Sequence, residues 1–129
     1  MDGNGDRQVS MRFDGSTRAA GEARHAVEGC IGVDTPQRFV SDALLLTSEL
    51  VTNAVMHSGG PSEMTAVYDG DTGWLRVEVS DTSSLVPRIR GHPGVNGGQG
   101  LRIVDAMAAR WGTTPSRTGK AVWFELTWT

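Results

Sequence analysis

A glutamate and an asparagine stand four residues apart in the chain, as Glu49 and Asn53. On an α-helix, two residues at this spacing project side by side from consecutive turns. The amide oxygen of an asparagine is a suitable ligand for a hard cation such as Mg²⁺, and a carboxylate can accept the proton of a hydroxyl group. The pair therefore has the chemistry for metal-assisted transfer to a hydroxyl. Alternatively, both are half-exposed residues on the flank of a helix, which is the commoner meaning of a single Glu-x-x-x-Asn pattern.

A second carboxylate, Asp81, follows a run in which every other residue is apolar: Leu75, Val77 and Val79. This alternation is typical of a strand with one buried face, and Asp81 continues the inward register. The strand would therefore deliver a carboxylate to the edge of the core, where it can accept a hydrogen bond from the exocyclic amine of adenine. A turn or cap at the strand end is the competing interpretation.

The third candidate is a glycine-rich run that stands directly before a helical pattern, Gly97-Gly-Gln-Gly100. Glycines let the backbone approach a ligand closely, and the amides of a first helical turn favour an anion such as phosphate. A flexible linker is the competing interpretation. Two other phosphate motifs are excluded by spacing, since the chain has no Gly-Lys-Ser/Thr of a P-loop and lacks the third glycine of the dinucleotide fingerprint.

Three helices are predicted to position these groups, over residues 16–32, 35–58 and 100–110. In the second helix, Glu49 and Asn53 lie within roughly 60° of the centre of the apolar stripe, so they border the core.

The other segments alternate with a period of two and predict two β-hairpins, the first over residues 64–81 and the second over residues 111–128. The order of elements predicts an α+β fold, a two-layer sandwich with a mostly antiparallel sheet and helices on one face. Residues 1–14 are predicted to be a flexible N-terminus or a first edge strand, with Met1 to Ser10 frayed. Residues 15–129 are predicted to form the domain itself.

Between Asp81 and the glycine run, the segment from Thr82 to Asn96 shows neither period and contains Pro87 and Pro93. It is too long for an ordinary connection, which is the profile of a loop that orders over a ligand. We expect it to be a mobile lid.

Composition favours a single cytoplasmic domain. The chain has 129 residues and a net charge of -3 from interspersed acidic and basic residues, which disfavours binding to nucleic acid. Its single cysteine, Cys30, cannot form an internal disulfide, which fits a reducing compartment. No segment is expected to be long and apolar enough to span a membrane.

The order of these parts resembles the histidine-kinase-like (GHKL, Bergerat-fold) ATPases. Three stretches carry the resemblance, to the N box, the strand before the first glycine box and the second glycine box: Glu49-Leu-Val-Thr-Asn53-Ala-Val-Met-His57, Val77-Glu-Val-Ser-Asp81 and Gly97-Gly-Gln-Gly100-Leu101. The closing segment Gly119-Lys-Ala-Val-Trp-Phe-Glu-Leu126 is similar to that of the serine-kinase and anti-sigma regulators of actinobacteria, the RsbW/SpoIIAB type. The resemblance covers roughly Arg18 to Trp128.

The resemblance implies ATP and Mg²⁺ as ligands. It implies that Asn53 holds the cation, that Glu49 is the catalytic acid/base residue, and that Asp81 reads adenine.

At the phosphate end, the resemblance implies backbone amides from Gly98, Gly100 and Leu101. His57 would lie near that end, or would simply cap its helix. Lys120 would either neutralise phosphate or be an exposed lysine in a turn, and the second is the expectation.

Two features depart from the family pattern. Asp81 is followed by Thr82-Ser-Ser-Leu85 where the first glycine box has glycines, and Ala121 stands where many relatives carry a nucleotide-binding threonine. Both departures weaken the expected nucleotide site.

The implied activity is that of a serine/threonine protein kinase of the anti-sigma type, which transfers the γ-phosphate of ATP to an antagonist protein of the STAS type. The alternative is a non-catalytic module that sequesters a sigma factor or an antagonist, with ATP as a structural ligand or absent. A homodimer is left open. Two-component histidine kinases are excluded, because no segment could form their phosphoacceptor helical hairpin. A purely structural domain would leave the polar candidates and the glycine run unexplained.

Overall fold

The computed structural model describes residues 6–58, 61–81, 98–116 and 119–128. Its elements in chain order are β1 (Asp6–Phe13), α1 (Ala19–Ile31), α2 (Gln37–Ser58), β2 (Ser62–Asp69), β3 (Trp74–Asp81), α3 (Gly98–Met107), β4 (Arg110–Ser116) and β5 (Gly119–Thr127). The segment predicted to be a lid, Thr82 to Asn96, lies outside the described residues.

The five strands form one sheet in the order β1-β2-β3-β5-β4, and every pairing is antiparallel. Alternate side chains of the central strands are buried under the helices, as a period of two requires. They are Met64, Ala66 and Tyr68 on β2, Leu75, Val77 and Val79 on β3, and Val122, Phe124 and Leu126 on β5. The predicted α+β sandwich with helices on one face is confirmed.

The helices complete this core with the apolar stripes that their sequence spacing predicts. On α1 the stripe is Ala19, Ala23 and Val27, and on α2 it is Phe39, Ala43, Leu46, Leu50 and Ala54. α2 packs on α1 and α3 and also contacts β2, β3 and β5. α2 therefore packs against elements from both the N-terminal and the C-terminal half of the chain.

Two boundaries differ from the predictions. Residues Asp6 to Ser10, where fraying was expected, pair with β2 as part of the edge strand β1. The last predicted turn of the third helix is absent, since α3 ends at Met107 and Arg110 already pairs with Glu125 in the sheet. The backbone amide of Ala109 donates to the carbonyl of Glu125 at 2.8 Å, which brings the chain onto β5 directly after the helix.

Within the described ranges, one helix is long and apolar enough to cross a membrane by length and composition, contrary to the expectation from sequence. It spans Gln37–His57, and half of the tested window is buried inside the structure. That burial is against the sheet and its neighbouring helices, as in the core helix of a folded domain.

Cys30 lies on the buried side of α1, with its Sγ 3.9 Å from the carbonyl oxygen of Ala66. Burial raises the pKa of this thiol, because the thiolate would lose its hydration. The protonated thiol therefore contributes to the free energy of unfolding. This contribution is complete below the pKa of Cys30 in the unfolded chain and is lost as pH rises through its pKa in the folded protein.

We predict that a thiol reagent such as Ellman's reagent modifies native Cys30 much more slowly than the urea-unfolded chain at mildly alkaline pH. Both burial and the raised pKa reduce the reactive thiolate at the surface. Equal rates in the two states would show that this part of α1 opens readily.

Candidate functional site

Asn53 is buried in the C-terminal half of α2. Its side chain is 4% exposed, and Oδ1 has no hydrogen-bond partner among the described residues. A buried acceptor without a partner costs about 1–3 kcal/mol, so such a group calls for a reason. A hard cation or an ordered water would satisfy this oxygen.

Glu49 stands one helical turn before Asn53 and is half-buried at the border of the core. Within the described ranges its carboxylate makes no hydrogen bond or ion pair, so it is not committed to a structural contact. His57 follows one turn after Asn53 and is also half-buried, in the last turn of α2. The three side chains therefore form a row along one side of the helix.

Asp81 and Lys120 form a buried ion pair between β3 and β5. The Nζ of Lys120 lies 3.2 Å from Oδ1 and 3.3 Å from Oδ2 of Asp81. The Lys120 side chain is 6% exposed and that of Asp81 is 2% exposed. The expectation that Lys120 is an exposed turn lysine is wrong, because the strand pairing places it directly opposite Asp81 on the covered face of the sheet.

The end of α2 lies at the same end of the sandwich as this ion pair. β2 begins at Ser62, shortly after α2 ends at Ser58. Glu63 on β2 pairs with Ser80, the neighbour of Asp81 on β3. The C-terminal end of α2 therefore lies at the end of the sheet where β3 ends and β5 begins. The row of polar residues on α2 runs toward the Asp81–Lys120 pair.

The glycines of the predicted phosphate site open α3. The helix begins at Gly98, so Gly98, Gly100 and Leu101 stand in its first turn, where backbone amides lack acceptors within the helix. Leu101 and Val104 are buried in the core and fix the helix on its neighbours.

The other end of α3 is anchored to the far end of β5. The amide of Ala109 bonds to the carbonyl of Glu125, and Nε1 of Trp111 donates to Oδ1 of Asp105 at 2.8 Å. A ten-residue helix is about 15 Å long, and the strand between Glu125 and Lys120 spans roughly 17 Å. α3 is thus long enough to carry its first turn back toward the Asp81–Lys120 end.

The donor set limits how a metal could be held. In the part of the chain that the structure describes, no three His, Cys, Asp or Glu side chains form a metal-binding group. A cation at Asn53 would take its other ligands from phosphate and water, which is how Mg²⁺ is commonly held in nucleotide sites. The unpartnered Oδ1 of Asn53 fits such a cation.

The match to known proteins is one of structure. No family model matches the sequence, and no curated protein matches it either. The crystal structure of the RsbU and RsbW domains of Rv1364c from Mycobacterium tuberculosis is similar with a TM-score of 0.64 and 19% sequence identity, over 93% of this chain. This chain spans 31% of the length of that one. At this identity, the similarity establishes the fold.

Proposed function

We propose that this chain is an ATP-binding regulator of the anti-sigma type, a cytoplasmic protein kinase that transfers the γ-phosphate of ATP to a serine or threonine of an antagonist protein. One observation carries the proposal. The buried amide oxygen of Asn53, which has no hydrogen-bond partner among the described residues, lies at the same end of the sandwich as the buried carboxylate of Asp81. The fold shared with a structure that includes an RsbW domain supports it.

The base of the nucleotide would lie against the end of β3. Asp81 is held there on the covered face of the sheet, between the core and the candidate site. A carboxylate accepts hydrogen bonds and donates none, so it suits the exocyclic amine of adenine.

The phosphates would lie between α2 and the first turn of α3. The free amides of Gly98, Gly100 and Leu101 would donate to phosphate oxygens, favoured by the positive end of the helix dipole. Asn53 would hold Mg²⁺, which when bound neutralises phosphate charge and aligns the γ-phosphoryl group. His57, one turn further along α2, would border this end of the site.

Glu49 would accept the proton of the attacking hydroxyl. As that oxygen forms its bond to the γ-phosphorus, the bond from phosphorus to the β,γ-bridging oxygen breaks, and ADP leaves with the electron pair. Glu49 suits this task because its carboxylate is uncommitted among the described residues and stands one turn from Asn53.

A protein substrate is favoured by the surface around Glu49. Leu45 and Met56 are 40% and 47% exposed. They stand four residues before and seven residues after Glu49, so they share its side of α2. Exposed apolar side chains beside the acid/base candidate suit a folded partner such as a STAS-type antagonist.

The second candidate function is sequestration of a sigma factor or antagonist without catalysis. Its supporting observation is the Asp81–Lys120 ion pair, which already engages the carboxylate that would read adenine. The lack of glycine at the positions directly after Asp81, Thr82-Ser-Ser-Leu85, and the alanine at position 121 favour it as well.

The two functions are separated by a transfer assay. The protein is co-expressed with candidate antagonists, the bound partner is recovered, and the complex is incubated with γ-labelled ATP and Mg²⁺. A kinase labels a serine or threonine of the partner, which mass spectrometry locates. A partner that binds stably and is never labelled would contradict the kinase proposal and support sequestration.

A further inference from the structure

Among the described residues, the ammonium of Lys120 has an N–H donor that its buried ion pair with Asp81, between β3 and β5, does not use. We propose that Lys120 is a base-recognition residue, which donates a hydrogen bond to N1 of adenine beside Asp81, while Asp81 accepts one from the exocyclic amine. The inference rests on the proposed nucleotide site and extends it to a residue that sequence analysis placed in an exposed turn.

The position of Lys120 is fixed by the sheet. Asp81 is the last residue of β3 and pairs with Lys120 near the start of β5, and the next inward pair is Val79 with Val122. Both charged side chains therefore lie on the covered face of the sheet, at the end of the row of apolar core residues on β3 and β5. The ammonium is kept in place by two bonds to one carboxylate, at 3.2 and 3.3 Å.

The ammonium of Lys120 has one N–H group more than its contacts with Asp81 use, and this group can serve a ligand. A lysine ammonium has three N–H groups and no acceptor. Those of Lys120 make two hydrogen bonds in the described part of the chain, both to Asp81. A buried donor without a partner is unfavourable, so an acceptor that reaches Lys120 gains affinity. A carboxylate has two oxygens with about four acceptor positions, of which the bonds from Lys120 take two, and Asp81 also takes part in a further interaction within the protein.

Adenine has the matching edge, because its exocyclic amine donates and the adjacent N1 accepts. Asp81 and Lys120 offer an acceptor and a donor next to each other, in the complementary order. Hypoxanthine in the same orientation would place a carbonyl oxygen against the carboxylate and an N–H against the ammonium. Both contacts would then be repulsive.

The first test changes the ligand and leaves the protein intact. Calorimetric titration compares Mg-ATP with 1-deaza-ATP, in which N1 is replaced by C–H, and with 7-deaza-ATP as the matched control. Since hydrogen bonds to charged groups are the stronger ones, the parent is expected to bind 1-deaza-ATP about 10-fold or more weakly than ATP. It is expected to bind 7-deaza-ATP as it binds ATP. Equal affinity for ATP and 1-deaza-ATP would overturn the role of Lys120.

The second test asks whether this discrimination depends on Lys120. In Lys120→Met, ATP affinity should fall by a similar factor, and the difference between ATP and 1-deaza-ATP should disappear. A general structural role would weaken both ligands equally and leave the difference. Tighter binding of ATP by Lys120→Met would show that Lys120 obstructs the base, and would also overturn the proposal.

The matched control is Arg76→Met. Arg76 also forms an ion pair between β3 and β5, with Glu125 at 2.9 Å, but alternation places it on the opposite face of the sheet. This variant should keep the discrimination against 1-deaza-ATP.

Lys120→Met removes the ammonium that pairs with the buried carboxylate of Asp81, so thermal unfolding is measured alongside the titrations. If that variant does not fold, Asp81→Asn/Lys120→Met replaces it, because the double variant removes both charges, and it too should lose the discrimination. The experiments distinguish failure of the nucleotide proposal from failure of the role given to Lys120. If folded parent protein binds no ATP, the nucleotide proposal fails, whereas binding of ATP with equal binding of 1-deaza-ATP refutes only the role of Lys120.

Discussion

Replacement of Glu49 by glutamine is expected to lower phosphate transfer to the antagonist by about 10²–10⁴-fold, the usual contribution of a general base. The affinity for ATP should stay near that of the parent, because a side chain that orients the attacking hydroxyl makes little contact with bound nucleotide. Glu49 makes no hydrogen bond or ion pair among the described residues. Its amide replacement should therefore leave the stability of the fold almost unchanged.

The matched control for this prediction is Asp42→Asn. Asp42 lies on α2 seven residues before Glu49, so the control removes a negative charge from the same side of the same helix. Transfer is followed as phosphoserine or phosphothreonine on the recovered partner, with ATP affinity measured in parallel. Equal labelling by parent and Glu49→Gln would remove Glu49 from the catalytic role.

The second large effect is expected at Asn53. Asn53→Ala removes a buried amide oxygen that has no partner in the part of the chain that the structure describes, so the gain in ATP affinity on adding Mg²⁺ should be abolished. Affinity measured in excess EDTA should change much less, since the base and the backbone contacts to phosphate do not depend on this side chain.

The matched control for Asn53 is Thr47→Val, which removes another unpartnered buried oxygen from α2 with little change in shape. It should keep the response to Mg²⁺, and its stability should be equal or higher, because the loss of an unsatisfied buried group is not costly. An Asn53→Ala protein with the full response to Mg²⁺ would show that the cation, if bound, has other ligands.

Sequence patterns were sufficient for the layers of the fold, because burial imposes a period on each element. The stripe from Phe39 to Ala54 predicted the long helix, and alternation on both sides of the Asp69-Gly-Asp71 turn predicted the first hairpin. The helix end near Arg110 was predicted wrongly. Ala108 and Ala109 are good helix formers, but the amide of Ala109 donates to the carbonyl of Glu125, a long-range contact that the local pattern does not show.

The ion pair of Asp81 with Lys120 could not be found from local patterns. Lys120 follows a glycine in an apparent turn, which is where an exposed lysine is usual. Only the pairing of β3 with β5, which joins residues 39 positions apart, places it opposite Asp81 and under the helices. One sequence signal points to this pairing, since Lys120 shares the alternation of Val122, Phe124 and Leu126.

That the candidate residues lie toward one end of the sandwich could be recognised only from the topology of the fold. Asn53, Asp81 and the first turn of α3 belong to separate elements, and each has a common alternative meaning when taken singly. The short connection from α2 to β2 and the register of β2 on β3 bring the first two to one end of the sandwich.

Whether this end of the sandwich binds Mg-ATP is decided by isothermal titration of the folded protein with ATP, in Mg²⁺ and in EDTA. We expect saturable binding of one nucleotide per chain that is tighter with Mg²⁺, and a response to Mg²⁺ that is lost in Asn53→Ala. If protein that unfolds cooperatively on heating binds no ATP in either buffer, this end of the sandwich is not a nucleotide site.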